Sequence, residues 1–260
     1  MGALLRQTAK TVSEWSADET LTSRLADQMR FQMGNFPSES EKRSWKNSLR
    51  ELSELLVDAS LEKLNLLLEY QLPCSSKRVD VVLVGSSPKT KLPVIIAIEL
   101  KQWTDATSVE GTNEVVTIGA YGNRPILHPA LQVKKYCEYL LDFNRFASSE
   151  TSKVYGVAFL HNWLNVRNRA IDSVSSADVS MLFLGSEKAA FTKFLKDRIS
   201  QENTGELTDD FLKAKIAPTK QLLAVAADEI RNREQFNLLD EQQVAYSLVL
   251  KAVRDAEVSN

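Results

Sequence analysis

The chain has 260 residues, of which 43% are hydrophobic and 25% are charged, and its formal net charge at pH 7 is −2. These values are ordinary for a globular protein and allow one large domain or two small ones. They exclude a protein that is basic over its whole surface. Any surface that binds nucleic acid must therefore be local.

The composition also bears on metal sites and on location. Cys74 and Cys137 are too few for a disulfide framework and lack metal-ligand spacing. The only histidines, His128 and His161, argue against a zinc site. The sequence contains no apolar run of 18 residues and no signal peptide, so we expect a cytoplasmic protein that does not enter a membrane.

The N-terminal part of the chain has helical periodicity. Residues 1–35 are moderately polar and carry apolar side chains at helical spacing, which predicts a helical N-terminal extension. After a break at residues 34–38, a helix is predicted to begin near Ser38 or Ser40, either of which can be its N-cap. The apolar face of this helix consists of Trp45, Leu49, Leu52 and Leu56.

Three strands are predicted in the next part of the chain. Residues 64–72 alternate apolar and polar side chains, which indicates a strand. Residues 79–84 and 93–100 are rich in β-branched residues, as is typical of buried strands. Because only residues 73–77 separate the first two strands, we expect these strands to form a hairpin.

The second half of the chain alternates between helices and strands. A long polar loop is predicted at residues 102–127, and loops of this length are usually functional or mobile. The predicted elements that follow are a helix over 129–143, strands over 154–160 and 180–184, and a helix over 191–199. Residues 201–217 read as a polar connector, and 221–258 as largely helical.

This order of elements predicts an α/β fold with a mixed β-sheet flanked by helices, and with helical N- and C-terminal extensions. The predicted organisation is an extension over residues 1–35, a central domain over 36–200, and a linker with a helical segment over 201–260.

Three charged residues fall within the apolar strands. Asp80 lies in the second strand, and Glu99 and Lys101 lie at the end of the third. Burying an unpaired charge costs several kcal/mol, so charges in such strands call for a chemical reason. Alternation along a strand places Glu99 and Lys101 on the same face.

These residue types suit a divalent-cation site. Mg²⁺ prefers one or two carboxylates, a carbonyl oxygen and several waters, and a bound cation activates water for phosphodiester hydrolysis. Asp80, Glu99 and the backbone carbonyl of Leu100 are the candidate ligands. Lys101 can orient the attacking water or neutralise developing negative charge. In the competing interpretation, Lys101 only pairs with Asp80 or Glu99 at the end of a strand.

Further polar residues are candidates for the same site. Glu69, on the neighbouring strand, is either an additional metal ligand or a partner for Arg78. Gln132 and Tyr136 are four residues apart on one helix face and can position a water or a phosphate. The competing interpretation of these two residues is an ordinary polar pair. Glu41 fits best as a favourable charge at a helix N-terminus, and His128 as a helix cap.

These residues together follow a known order. Asp80, Glu99-x-Lys101 and Gln132-x-x-x-Tyr136 resemble the PD-(D/E)XK nuclease superfamily, and the last element resembles the motif of its RecB-like branch. Five segments are further similar to bacterial proteins in which such a nuclease precedes a superfamily-one helicase. They are Ser44–Leu49, Glu69–Pro73, Lys77–Asp80, Glu99–Trp103 and Ala158–Asn162.

The resemblance covers about residues 36–260 and implies a restriction-endonuclease-like fold. It implies a Mg²⁺- or Mn²⁺-dependent nuclease that cleaves DNA, with RNA not excluded, in phage defence or genome maintenance. Residues 236–242 resemble the segment before a helicase nucleotide-binding loop, where Gln242 would contact adenine. The chain has no Gly-x-x-x-x-Gly-Lys-Ser/Thr motif, so ATP hydrolysis by these residues is not expected. A partner helicase, or oligomerisation through the helical termini, can take the place of the helicase part.

Two other functions remain open at this point. A nuclease fold can lack catalysis and instead bind nucleic acid or a partner protein. Alternatively, the helical termini can make the chain an assembly scaffold, for example as a homo-oligomer.

Overall fold

A computed structural model of the chain describes residues 2–73, 75–109, 114–116, 125–165, 171, 180–219 and 222–223. The chain divides into two compact units, residues 1–219 and residues 220–260. Of the second unit only Leu222 and Leu223 are described. Within the described ranges, no helix is both long enough and apolar enough to cross a membrane.

A mixed sheet of six strands forms the centre of the first unit. The strands are β1 (Ala3–Thr8), β2 (Asn65–Gln71), β3 (Arg78–Ser86), β4 (Pro93–Lys101), β8 (Lys153–Leu160) and β9 (Ser180–Leu184). Their order in the sheet is β1-β2-β3-β4-β8-β9. Strands β1 to β4 pair antiparallel, whereas β4, β8 and β9 run parallel. The remaining strands, β5 (Thr107–Ser108), β6 (Glu114–Val116) and β7 (Ile126–Leu127), form a separate small sheet.

Helices cover both faces of the large sheet. They are α1 (Ala9–Ala17), α2 (Leu21–Met33), α3 (Glu39–Ser44), α4 (Arg50–Asp58), α5 (Pro129–Phe143), α6 (Lys188–Arg198) and α7 (Thr204–Lys213). Residues of α1, α2, α4 and α6 contribute to the hydrophobic core on one face, and residues of α5 and α7 to the core on the other. The α/β class predicted from the sequence is therefore confirmed, with a mixed sheet between two helical layers.

A π-helical turn, Trp45–Leu49, joins α3 to α4. The helix begins where the sequence predicts, because the Ser38 hydroxyl accepts the amide of Glu41 while the Glu41 carboxylate accepts the amide of Ser38. The predicted apolar face of this helix is buried. The π turn itself was not predicted.

The interpretation of residues 1–35 as entirely helical is wrong at its start. Ala3–Thr8 pair antiparallel with β2 and form the edge strand of the sheet, and only then do α1 and α2 follow. Leu4 is the one buried residue in this strand, so its sequence carries almost no strand periodicity. The edge position explains this, because β1 has a neighbouring strand on one side only and its other side chains are only partly buried, although both faces of the strand pack against a core.

Two further interpretations need correction. The predicted loop over residues 102–127 contains the short strands β5, β6 and β7, and the predicted connector over 201–217 contains α7. Neither region has a clear apolar periodicity in its sequence, although single residues such as Val115 and Phe211 are buried in the structure. Apart from Leu222 and Leu223, which are helical, the predicted C-terminal helix lies outside the described residues, including residues 236–242 and Gln242.

The backbone at the end of β8 packs closely against Gly185 and leaves no room for a side chain there. A Cβ at this position would lie 2.1 Å from the carbonyl oxygen of His161, the residue that follows β8. We expect Gly185→Ala to cost about 1–3 kcal/mol or more, because backbone must move, and to lower the Tm by at least about 2 °C. Thermal unfolding followed by circular dichroism measures the shift.

Gly205 in α7 is the matched control, because no atom lies within 4 Å of a Cβ added there. Gly205→Ala should leave stability unchanged or raise it by up to about 1 kcal/mol. Equal effects of the two substitutions would contradict the packing described at Gly185.

Candidate active site

The candidate site lies where β3 and β4 stop pairing. Their register ends at Val81 opposite Ile98, whereas β4 continues along β8 as far as Lys101. Beyond the last pair, the amide of Leu100 donates to Asp80 Oδ2 at 2.7 Å instead of to a carbonyl of β3. A side chain thus replaces the sheet hydrogen bond, and Asp80 is held against the end of β4.

Glu99 is the most buried charged residue of the site, with 3% of its surface exposed. Its Oε1 accepts hydrogen bonds from Lys101 Nζ at 2.6 Å and from Gln132 Nε2 at 2.7 Å. Gln132 Nε2 also donates to the hydroxyl of Tyr136 at 2.7 Å. Glu99 Oε2 is buried and has no hydrogen-bond partner among the described residues.

Burial and like charge raise the pKa values of the carboxyl groups. Burial, and then the charge of Asp80, raise the pKa of Glu99 to about 8, although Lys101 acts in the opposite direction. The same two causes raise the pKa of Glu69 to about 7. Burial also raises the pKa of Asp80. At neutral pH the cation-free site therefore retains protons that free carboxylic acids release.

Glu69 lies on β2 between the pairs Leu68–Val81 and Tyr70–Val79, which places it opposite Asp80. Its φ of 51° is in the left-handed region, where a non-glycine residue costs of order 1–3 kcal/mol. The alternation of faces shifts at this residue. Leu66 and Leu68 belong to one core, whereas Tyr70 and Leu72 belong to the other.

Contacts from the π-helical turn and from the start of β3 hold Glu69. Trp45 Nε1 donates to Glu69 Oε1 at 2.7 Å, and Arg78 Nε lies 3.4 Å from Glu69 Oε2. Arg78 Nη2 donates in turn to Glu41 at 2.7 Å. Four carboxylates, those of Glu41, Glu69, Asp80 and Glu99, thus face the two cations Arg78 and Lys101. This leaves a formal excess of two negative charges.

A second connection joins the helical segment to the end of β8. The Ser48 hydroxyl, on the π-helical turn, lies 2.9 Å from His161 Nε2, and both residues are buried. The amide of His161 donates to the carbonyl of Lys101 at 3.1 Å. Burial lowers the pKa of His161, which keeps the ring neutral at pH 7. The position of Lys101 therefore depends on packing between the turn and the strand.

The backbone of Leu100 offers a third potential ligand. The Lys101 carbonyl bonds to the chain after β8, so the Leu100 carbonyl projects to the opposite edge of β4, toward β3. Asp80, Glu99 and this carbonyl match the donor set that Mg²⁺ prefers, in which waters complete the coordination. The described residues contain no group of three His, Cys, Asp or Glu side chains arranged to hold a metal. The fit rests on two carboxylates and a carbonyl.

The structure brings together the residues singled out in the sequence. Asp80, Glu99, Lys101, Gln132 and Tyr136 form one connected cluster. The pairing of Lys101 with Glu99, which the competing interpretation requires, is also present. Their metal-binding and catalytic roles remain predictions.

The outer candidates have identifiable partners. Glu69 pairs with Arg78, the second of its two predicted roles, and its role as a ligand remains a prediction. Glu41 caps its helix, as expected, and also pairs with Arg78. His128 is the N-cap of α5, accepting the amide of Ala130, as its position before Pro129 predicts.

Sequence reasoning missed the contacts that Trp45, Ser48 and His161 make. The signal was present, because these residues fall in two of the segments that carry the family resemblance. What the sequence lacked was the pairing of the segments, since Ser48 and His161 are 113 residues apart.

Comparison of the chain with protein-family models, with curated proteins and with solved structures finds no match.

The raised pKa values predict how stability depends on pH. From pH 6.5 to 8.5, folded Glu69 and Glu99 lose protons that the unfolded chain has already released at lower pH. The folded state therefore binds more protons in this range, and the free energy of unfolding falls as pH rises. Thermal unfolding in EDTA should show a falling Tm.

Glu99→Gln should flatten this dependence, whereas Glu54→Gln, in an exposed ion pair on α4, should leave it unchanged. Added Mn²⁺ should raise the Tm more at pH 8 than at pH 6.5, because ligands must be deprotonated. Parallel Tm curves for wild type and Glu99→Gln would contradict the assignment of the dependence to Glu99.

Proposed function

We propose that the chain is a metal-dependent nuclease that hydrolyses phosphodiester bonds, with DNA as its substrate. The observation that carries this proposal is the desolvation of Asp80 and Glu99 side by side, next to Lys101. Two such carboxylates repel each other when both are ionised, and Glu99 Oε2 is buried without a hydrogen-bond partner among the described residues. A divalent cation would remove both unfavourable features.

Asp80, Glu99 and the Leu100 carbonyl would hold the cation. When bound, Mg²⁺ or Mn²⁺ would lower the pKa of a water and stabilise charge on the phosphate. Because ionised carboxylates repel the phosphates of DNA, binding of the cation also favours approach of the substrate.

The protein's own groups have separate roles in this proposal. Lys101 carries a positive charge beside the carboxylates, where it can stabilise negative charge that develops on the scissile phosphate. Gln132 fixes the orientation of Glu99 through its bond to Oε1. Burial raises the pKa of Tyr136 to about 12, so its hydroxyl keeps its proton and can donate to a phosphate or a water.

The Lys101–Glu99 ion pair also fits a second function. A pair at 2.6 Å neutralises the buried carboxylate without any metal, as in a nuclease-fold module that binds nucleic acid or a partner protein but does not cleave. The resemblance in sequence supports a helicase as the partner protein in either case. It therefore does not distinguish a non-cleaving module from an active nuclease.

A cleavage assay separates the two functions. Wild-type protein with Mg²⁺ or Mn²⁺ should cleave labelled single- or double-stranded DNA, and EDTA should abolish cleavage. Lys101→Met and Asp80→Asn should each lower the rate by about 10²–10⁴-fold, the usual range for loss of a polar catalytic group. Lys91→Met, which removes an exposed ion pair with Glu202, should cleave like wild type.

Circular dichroism must show that each variant is folded. Wild type that is inert on DNA and RNA with both metals would contradict the nuclease. Isothermal titration calorimetry then measures Mn²⁺ binding by wild type and by Glu99→Gln. Equal binding of Mn²⁺ by the two proteins would support the non-cleaving binding module.

A further inference from the structure

A cleft of about 420 Å³, called here the helix cleft, lies between α1–α2 and the segment formed by α3 and the π-helical turn. Trp15 and Glu19 line one wall, and Lys42, Arg43 and Lys46 line the other. Its volume falls in the range of about 300–1,000 Å³ that is typical of ligand sites. None of these five residues belongs to the candidate active site.

The basic wall of the helix cleft is available to an anion. Lys42 pairs with Glu39 at 2.8 Å and Lys46 with Glu19 at 2.7 Å, but both pairs lie at the surface. Such pairs contribute about 0–1 kcal/mol, so exchanging a carboxylate for a phosphate costs little. The side chain of Arg43 is exposed and forms no ion pair with a described residue.

A chain of amide hydrogen bonds connects the helix cleft to the active site. Gln102 directly follows Lys101, and its Nε2 donates to the carbonyl of Arg43 at 3.4 Å. Asn47 Nδ2 donates to Gln102 Oε1 at 3.0 Å, and Asn162 Nδ2 donates to the Gln102 carbonyl at 3.3 Å. The surface between Arg43 and Lys101 thus carries neutral amides.

We propose that the helix cleft binds the sugar–phosphate backbone of DNA on one side of the scissile bond, with the strand passing over Gln102 to Lys101. This inference rests on the proposed nuclease function for the position of the scissile bond. Guanidinium and ammonium groups are the usual phosphate donors, and side-chain amides are frequent backbone contacts. A protein with a net charge of −2 needs such a local basic surface to bind DNA at all.

An acidic peptide would also be attracted to the basic wall. The continuity from Arg43 through Gln102 to Lys101 favours DNA, because a substrate must reach both the helix cleft and the active site. A peptide bound in the helix cleft has no need of that connection.

The double variant Arg43→Ala/Lys46→Ala tests the inference. Affinity for a fluorescein-labelled 20-nucleotide DNA, single-stranded or duplex, is measured in EDTA over a range of salt concentrations. Loss of two phosphate contacts should reduce the slope of log K against log salt by about 1.4–1.8. In the cleavage assay with Mn²⁺, KM should rise about 10-fold or more, with kcat within about twofold of wild type. An RNA of the same sequence serves as a comparison.

Lys193→Ala/Lys196→Ala is the matched control, because it removes two exposed lysines from α6. Its salt slope and KM should equal those of wild type. If wild type cleaves DNA but Arg43→Ala/Lys46→Ala keeps the wild-type slope and KM, the inference is overturned and the nuclease stands. If no nucleic acid is cleaved but the slope falls as stated, the nuclease fails and the DNA surface stands.

Two other outcomes would also overturn the inference. One is wild type that binds no DNA in EDTA or with Ca²⁺. The other is binding of a labelled poly-glutamate peptide that is lost in Arg43→Ala/Lys46→Ala while DNA affinity is unchanged, which would assign the helix cleft to an acidic protein partner.

Discussion

The desolvation of Glu99 beside Asp80 is the constraint on which the surrounding structure depends. Two carboxylates at the ends of buried strands are unfavourable, and the neighbouring groups reduce that cost without removing it. Lys101 and Gln132 satisfy one oxygen of Glu99, and the amide of Leu100 satisfies one oxygen of Asp80. The other oxygen of Glu99 stays buried, with no partner among the described residues. A protein selected only for stability would replace such groups with apolar side chains. Their presence is therefore the strongest argument for a bound cation.

The strained backbone at Glu69 and the π-helical turn hold further groups next to Asp80 and Lys101. A left-handed residue within β2 shifts the alternation of the strand and places Glu69 opposite Asp80. Trp45 from the π-helical turn and Arg78 from the start of β3 then hold its carboxylate. On the other side, the Ser48–His161 contact connects the π-helical turn to the strand next to Lys101. The π-helical turn thus contacts the site near Glu69 and also near Lys101. Such turns are frequent at functional sites.

The central part of this arrangement was predictable from the sequence. Period-two alternation put Glu99 and Lys101 on one face, the short connection after β2 set its pairing with β3, and the four-residue spacing put Gln132 and Tyr136 together. The rest depends on information that local patterns do not carry. The edge strand β1 has a single buried residue, Leu4, and its sequence lacks a period of two and fits the start of a helix equally well. A left-handed φ at a glutamate contradicts residue preference and arises from tertiary packing. The contact of Ser48 with His161 joins segments far apart in the chain, which spacing alone cannot predict.

Crystals of the protein soaked in Mn²⁺ would test the central claim most directly, through the anomalous scattering of the metal. If the desolvated carboxylates hold a cation, we expect an anomalous peak between the ends of β3 and β4. The Mn²⁺ at this peak should contact Asp80, Glu99 and the carbonyl of Leu100. It also predicts that Glu99 turns from Lys101 toward the metal. Absence of a peak at millimolar Mn²⁺, with the Lys101–Glu99 pair intact, would contradict it.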